Sequence, residues 1–170
     1  MSYPDRHQFH LPDKLIFRMY EFMHKVGGII PLDQSWLKVK HFHEFFSIPV
    51  GDGPQRLSEE RVQKRATWME EEVQEFRQAQ TLTEQVDAMI DILYFALGTL
   101  VEMGVKPESI FNIVHEANMS KCFPDGKPRY RPSDGKVIKP PTWQDPAPKI
   151  EAELKRQIQQ AFLRSGKVPK

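Results

Sequence analysis

Residues 84–102 read EQVDAMIDILYFALGTLVE, a segment that is apolar on almost every face of a helix. The acids of its first turn are favoured by the helix dipole, but Asp91 lies in mid-helix among large apolar side chains. A buried carboxylate without a partner is costly, so Asp91 requires either a hydrogen-bonding protein group or a cation. The segment therefore predicts a central, buried helix with a charge that needs compensation.

The preceding helix contains a run of glutamates, WMEEEVQEF at residues 68–76. At about 100° per residue, Glu72 lies beside the apolar stripe of this helix and Glu75 lies further round. Antiparallel packing of the two helices would place Glu72 and Glu75 opposite Asp87 and Asp91. A solvated acidic face is the simpler interpretation, but converging carboxylates favour a divalent cation such as Mg²⁺. The stripe expected to face the core is Val62, Ala66, Met69, Val73 and Phe76.

The rest of the chain also shows helical spacing, and no segment has convincing strand alternation. Residues 123–147 are rich in Pro, Gly and basic residues and indicate an ordered or clamping loop. We expect an all-α fold, a four-helix-type bundle with flanking helices, in a single domain of residues 1–170 with its core at about 12–145. The further predicted helices are 13–25, 34–46, 58–80, 107–121 and 148–164.

Composition excludes several classes of function. The net charge of +1 provides no overall field that would attract nucleic acid. No run approaches about 18 consecutive apolar residues, so no membrane partner is expected. Cys122 is the single cysteine, which excludes an internal disulfide and fits a reducing compartment. Because the first residues also lack a signal-peptide pattern, we expect a cytoplasmic protein.

Several motifs occur together in order. Glu71-Glu72-x-x-Glu75 is followed by Asp91-Ile-Leu-Tyr, then by VHEANMSK at 114–121 and DGKVIKPPTW at 134–143. Over about residues 40–145 the chain resembles the all-α nucleotide pyrophosphohydrolases, which include MazG-like proteins, dimeric dUTPases and phosphoribosyl-ATP pyrophosphohydrolases. The later motifs are similar to the phosphoribosyl-ATP pyrophosphohydrolase-like branch.

The resemblance implies Mg²⁺-dependent hydrolysis of a nucleoside triphosphate between its α and β phosphates, with Mn²⁺ as a possible substitute. It also implies a homodimer or homotetramer, in agreement with the surplus of aromatic residues in the second helix. Glu71 is the candidate for orienting or deprotonating the attacking water. The candidate metal ligands are Glu72, Glu75, Asp87 and Asp91, and the candidate substrate-binding residues are Asn118, Lys121, Arg65, Lys136 and Lys139.

The chain departs from the superfamily pattern at one position. The usual second pair is Glu-x-x-Asp, but Ala88 stands three residues before Asp91. Asp87, one helical turn from Asp91, could replace the missing glutamate, and Glu84-x-x-Asp87 offers the literal spacing one turn earlier. The departure leaves open a non-catalytic helical module that binds a nucleotide or a partner.

The histidines and the loop aromatics have simpler interpretations. A di-iron bundle needs Glu-x-x-His on two helices, and only Glu21-x-x-His24 fits cleanly. We therefore expect His41 and His43 to be helix-surface or interface residues. Trp143 is expected to fix the Pro-rich loop in place rather than to stack on a base.

Overall fold

The computed structural model describes residues 31–166, and this part of the chain is helical. It contains no strand and only an isolated antiparallel bridge between Tyr130 and Val137. The all-α prediction is confirmed, whereas the helix expected at 13–25 lies outside the described residues and the single-domain prediction stays a prediction. The described helices are α1 Leu32–Phe45, α2 Glu59–Gln78, α3 Leu82–Glu102, α4 Glu108–Met119 and α5 Ala147–Ser165.

Local capping explains where α2 and α3 begin. The Ser58 side chain accepts a hydrogen bond from the backbone N–H of Arg61 at 3.3 Å. Thr81 accepts from the N–H of Glu84 at 3.2 Å, and Glu84 accepts from the N–H of Thr81 at 3.0 Å. These two reciprocal bonds form a capping box. Because only residues 79–81 separate the two helices, α2 and α3 form an antiparallel hairpin.

Helix α3 is the centre of the described structure and packs against both α1 and α2. Trp36 and Val39 of α1 join Leu97 and Val101 of α3 in the main buried cluster, where Val101 is 0% exposed. The second half of α3 is therefore buried as predicted. The prediction of burial is wrong for its first half, where Val86 and Ile90 are 53% and 54% exposed. In the described part of the chain, none of the helices is both long and apolar enough to cross a lipid bilayer.

Helices α4 and α5 pack against each other. Gln157 of α5 donates to the carbonyl of Lys106 and accepts from its N–H, both at 3.0 Å, which ties α5 to the α3–α4 connection. Glu153 accepts from Ser109 and from Arg156, each at 2.6 Å. The hydrogen bond from Arg156, with those from Ser109 and Gln157, outweighs the effect of burial and lowers the pKa of Glu153 to about 2.

The stripe expected to face the core on α2 is wrong at its two ends. Val62 is 47% exposed and Phe76 is 41% exposed, whereas Arg65 is 3% exposed. Arg65 is buried on this helix because its guanidinium pairs with the buried carboxylate of Glu102 on α3. His43 of α1 is also buried, at 2% exposure, so its expected place on the surface is wrong.

Candidate functional site: an acidic cluster on the α2–α3 hairpin

Contacts along the hairpin define which residues of α2 face which residues of α3. Near the beginning of α2, Arg61 Nε donates to Glu102 Oε2 at 2.6 Å. Two turns further along, the rings of Trp68 and Phe95 lie with their centroids 5.8 Å apart. Because the two helices are antiparallel, one turn forward along α2 corresponds to one turn back along α3. One turn beyond the Trp68–Phe95 contact, Glu72 therefore lies level with Asp91.

Glu72 is the most informative side chain of this region. The side chain is half-buried, and within residues 31–166 its Oε2 atom is closed to solvent and has no hydrogen-bond donor. A shielded carboxylate oxygen without a partner is rare, because desolvation is then uncompensated. Burial raises the pKa of Glu72, and four neighbouring carboxylates raise it further: Glu75, Asp91, Glu71 and Asp87, in decreasing order of effect.

The acids predicted from the sequence therefore act on one another electrostatically. Within residues 31–166, however, no group of three or more His, Cys, Asp and Glu side chains is arranged to hold a metal ion. Glu71, Glu75 and Asp87 are exposed and Asp91 is half-buried. The hairpin thus brings the acids into one field, and like-charge repulsion opposes their closer approach.

Glu84 and Ala88 have other surroundings. The Glu84 carboxylate accepts hydrogen bonds from the N–H groups of Gln80, at 2.7 Å, and Thr81. These bonds lower the pKa of Glu84, and its carboxylate is thereby engaged at the start of α3. Ala88, at the position of the usual family glutamate, is 3% exposed. Of the two candidates for replacing that glutamate, Asp87 is the one whose charge acts on Glu72.

An open groove lies beside Asp87. Its volume is about 410 Å³, and it follows the first two turns of α3. Apart from the aspartate its lining is mainly apolar, with Leu82, Thr83, Val86 and Ile90. Such a surface can accept an apolar group next to a charged one.

The candidate substrate-binding residues fall into separate groups. At the end of α4, Lys121 Nζ donates to Asn118 Oδ1 at 2.6 Å. Lys139 Nζ lies 3.5 Å from the centroid of the Trp143 ring. Lys136 is exposed and lies 3.9 Å from a carboxylate oxygen of Asp134. None of these lysines forms an ion pair with the acidic cluster in the part of the chain that the structure describes.

Trp143 fixes the long loop to α4. Its Nε1–H donates to the carbonyl of Ala117 at 2.8 Å, and the ring supports Lys139 on its face. The expectation that this aromatic residue holds the loop is confirmed. The same contact places Lys139 near the end of α4, which contains Asn118.

A buried ion-pair cluster occupies the other end of the hairpin, and sequence reasoning missed it. Arg61 and Arg65 both donate to Glu102, and Arg65 Nη2 also lies 3.3 Å from His43 Nε2. Burial alone would raise the pKa of Glu102, but the hydrogen bonds from the two arginines outweigh it and lower the pKa. The signal available in the sequence was the matching i,i+4 spacing of Arg61 and Arg65 on α2 and of Gly98 and Glu102 on α3.

The chain is similar to known pyrophosphohydrolases. The family model for phosphoribosyl-ATP pyrophosphohydrolase matches residues 39–118, which include α2, α3 and most of α4. A crystal structure from Exiguobacterium sp. 255-15, provisionally named an NTP pyrophosphohydrolase, is 34% identical and covers 74% of this chain and 96% of that one. The backbones of the two proteins superpose with a TM-score of 0.43. None of the curated proteins matches the chain.

Proposed function

Because this chain belongs to the MazG-like superfamily of all-α NTP pyrophosphohydrolases, we propose that it hydrolyses a nucleoside triphosphate between the α and β phosphates. The products are a nucleoside monophosphate and pyrophosphate. The reaction depends on Mg²⁺, and Mn²⁺ is a suitable substitute because both are oxygen-preferring divalent cations.

The Oε2 atom of Glu72, which has no hydrogen-bond donor in the described part of the chain, is the observation that carries the proposal. This oxygen lies in the field of four further carboxylates, which raise the pKa of Glu72, and a divalent cation would remove both penalties. The donor set is all oxygen, as Mg²⁺ requires. The residues that would hold the cation are Glu72, Glu75, Asp87 and Asp91.

When bound, the cation would lower the pKa of a coordinated water and stabilise charge on the phosphoryl oxygens. Glu71 is exposed at the border of the cluster, and its charge raises the pKa of Glu72. In the proposed reaction Glu71 orients or deprotonates the attacking water.

Cationic side chains are needed for the remaining phosphate charge. Lys121, positioned by Asn118, meets this need at the end of α4, and Lys136 and Lys139 extend it along the following loop. Arg65 is not included, because its guanidinium is buried in the ion pair with Glu102.

The apolar surface of α3 supports self-association into a homodimer or homotetramer. Leu82, Val86, Ile90 and Leu93 recur at helical spacing and are 76%, 53%, 54% and 46% exposed. An apolar stripe of this length is typical of an interface, and a second copy of the chain would cover it. The single cysteine supports a reducing, cytoplasmic location.

Pyrophosphate release tests the proposed activity. Wild type is assayed with Mg²⁺ against dUTP, dCTP, oxidatively damaged nucleoside triphosphates and phosphoribosyl-ATP. We expect turnover with at least one of these compounds and loss of at least about 100-fold in D91A, since four ligands act as a unit. The control is E70Q, which removes an exposed carboxylate on the same hairpin and should retain activity. Equal activity in D91A and wild type would contradict the proposal.

One observation favours a second function, a helical module that binds nucleotides without hydrolysing them. Ala88, buried where the family has a glutamate, removes one expected ligand. This second function is correct if no compound in the panel is hydrolysed but one of them raises the melting temperature of wild type.

A further inference from the structure

His43 is a buried imidazole with both ring nitrogens engaged. Nδ1 lies 2.9 Å from the carbonyl oxygen of Pro49, and Nε2 lies 3.3 Å from Nη2 of Arg65. A carbonyl oxygen only accepts and a guanidinium only donates, so Nδ1 must bear the proton and Nε2 must be the acceptor. Both contacts are therefore satisfied by the neutral imidazole alone.

The charges that face His43 come from two other helices. Among the described residues, Arg61 and Arg65 of α2 and Glu102 of α3 act on the ring, and the 46–58 connection contributes the Pro49 carbonyl. On α1 itself, Lys40 and Glu44 form an outward ion pair at 3.3 Å. Protonation of His43 would place a third cation beside a single carboxylate, in a cluster where Arg65 and Glu102 are 4% and 2% exposed.

Burial lowers the pKa of His43 below its usual 6.5, and the charges of Arg65 and Arg61 add to this effect. The Pro49 hydrogen bond and the Glu102 charge oppose it without cancelling it. The electrostatics thus agree with the hydrogen-bond geometry, because both favour the uncharged ring.

The ring lies close to the backbone of α3 at Gly98. A Cβ atom added at Gly98 would lie 2.9 Å from His43 Nε2 and 3.1 Å from Arg65 Nη1. Any larger residue at position 98 would therefore force the imidazole or the guanidinium to shift. Protonation of the ring therefore opposes the close packing of α1 against α2 and α3.

We propose that His43 is a pH-sensitive switch that keeps α1 docked on the α2–α3 hairpin when neutral and releases it when protonated. Arg65 precedes Glu72 by about two helical turns on α2. Release of α1 therefore loosens the hairpin that holds Glu72 at the level of Asp91. The structural switch stands on the His43 contacts, and only its effect on catalysis rests on the proposed function.

The sign of the pH effect follows from linkage. In the unfolded chain this histidine has the usual pKa of 6.5, whereas its pKa in the folded chain is lower. The stabilising effect is complete above pH 6.5 and is lost as the pH falls from 6.5 toward the folded-state pKa. The proposed activity should fall over the same interval.

The test follows imidazole NMR resonances of wild type from pH 8 to 5, together with melting temperatures of wild type, H43Q and H41Q. The glutamine side chain of H43Q can still accept from Arg65 but cannot gain a proton, and His41 is exposed on the same helix. We expect His43 to titrate below 6.5 and wild type and H41Q to lose about 3 °C more than H43Q between pH 7.5 and 5.5.

A His43 midpoint at or above 6.5, or an equal acid loss in H43Q and wild type, would overturn the switch. If H43Q does not fold, the wild-type titration alone decides. These measurements use no nucleotide and are independent of the assay for pyrophosphate release. A negative result in that assay would refute the proposed function but not the switch. If turnover is observed, its decline at acid pH should be smaller in H43Q.

Discussion

Arg65 of α2 and Glu102 at the end of α3 form an ion pair that is almost completely closed to solvent, with side chains 4% and 2% exposed. We expect E102Q to reduce the free energy of unfolding by about 3–5 kcal/mol, because Arg65 would remain buried without its counter-charge. Urea denaturation at pH 7.5 measures this loss. D134N, which alters an exposed pair with Arg131, is the control and should have no measurable effect. A loss below about 1 kcal/mol in E102Q would show that the pair contributes little.

Removing one charge from the acidic cluster should stabilise the metal-free protein. Because Asp91 raises the pKa of Glu72, D91N relieves a repulsion and should raise the melting temperature by about 1–2 °C in EDTA. Added Mg²⁺ should then stabilise wild type more than the variant. Scanning calorimetry measures both effects, with E70Q as the control for loss of an exposed carboxylate. Marked destabilisation of D91N would instead identify Asp91 as a structural residue.

The repulsion at Glu72 also predicts a pH dependence. A carboxyl whose pKa is raised in the folded state contributes stability that is complete below the unfolded value of 4.5 and is lost as the pH rises through the folded value. In EDTA, E72Q should therefore become progressively more stable than wild type as the pH rises above 4.5. Urea midpoints at pH 4, 6 and 8 measure the difference, and a difference that does not change with pH would contradict repulsion as its cause.

Glu153 should have the opposite dependence. Its pKa of about 2, against 4.5 in the unfolded chain, gives stability that is complete above pH 4.5 and is lost as the pH falls toward 2. E153Q should thus be less stable than wild type at pH 7, and the two urea midpoints should converge near pH 2. E151Q, which changes an exposed acid on the same helix, is the matched control. Parallel midpoints for E153Q and wild type across the whole range would refute this assignment.

The close approach at Gly98 gives a steric prediction. In G98A the new Cβ would meet His43 Nε2 at 2.9 Å, so the imidazole or the guanidinium must shift. We expect a loss of about 1–3 kcal/mol in the free energy of unfolding despite the better helix propensity of alanine. Urea denaturation checks it, and a stabilised G98A would show that the cluster yields without cost.

Local chemistry explains why the helices were predictable. The bounds of α3 follow from the Thr81–Glu84 capping box, and those of α2 follow from the Ser58 cap. The short connection between them requires antiparallel packing, which in turn brings Glu72 toward Asp91. Each step depends on residues close together in sequence.

The buried cluster was not predictable in the same way. Arg65 and Glu102 are 37 positions apart, and an acid in the last turn of a helix ordinarily faces solvent. Arg65 was therefore a reasonable candidate for binding phosphate, although its guanidinium is buried. The burial of His43 was unpredictable for a related reason, because its ring packs against Gly98 of a different helix.

Binding of Mn²⁺, followed by electron paramagnetic resonance, tests the central claim most directly, because it requires neither the substrate nor turnover. Wild type should bind Mn²⁺ in competition with Mg²⁺, E72Q should bind at least about tenfold more weakly, and E70Q should match wild type. Equal binding by E72Q and wild type, or no binding by wild type, would contradict the conclusion that the α2–α3 acids form a divalent cation site.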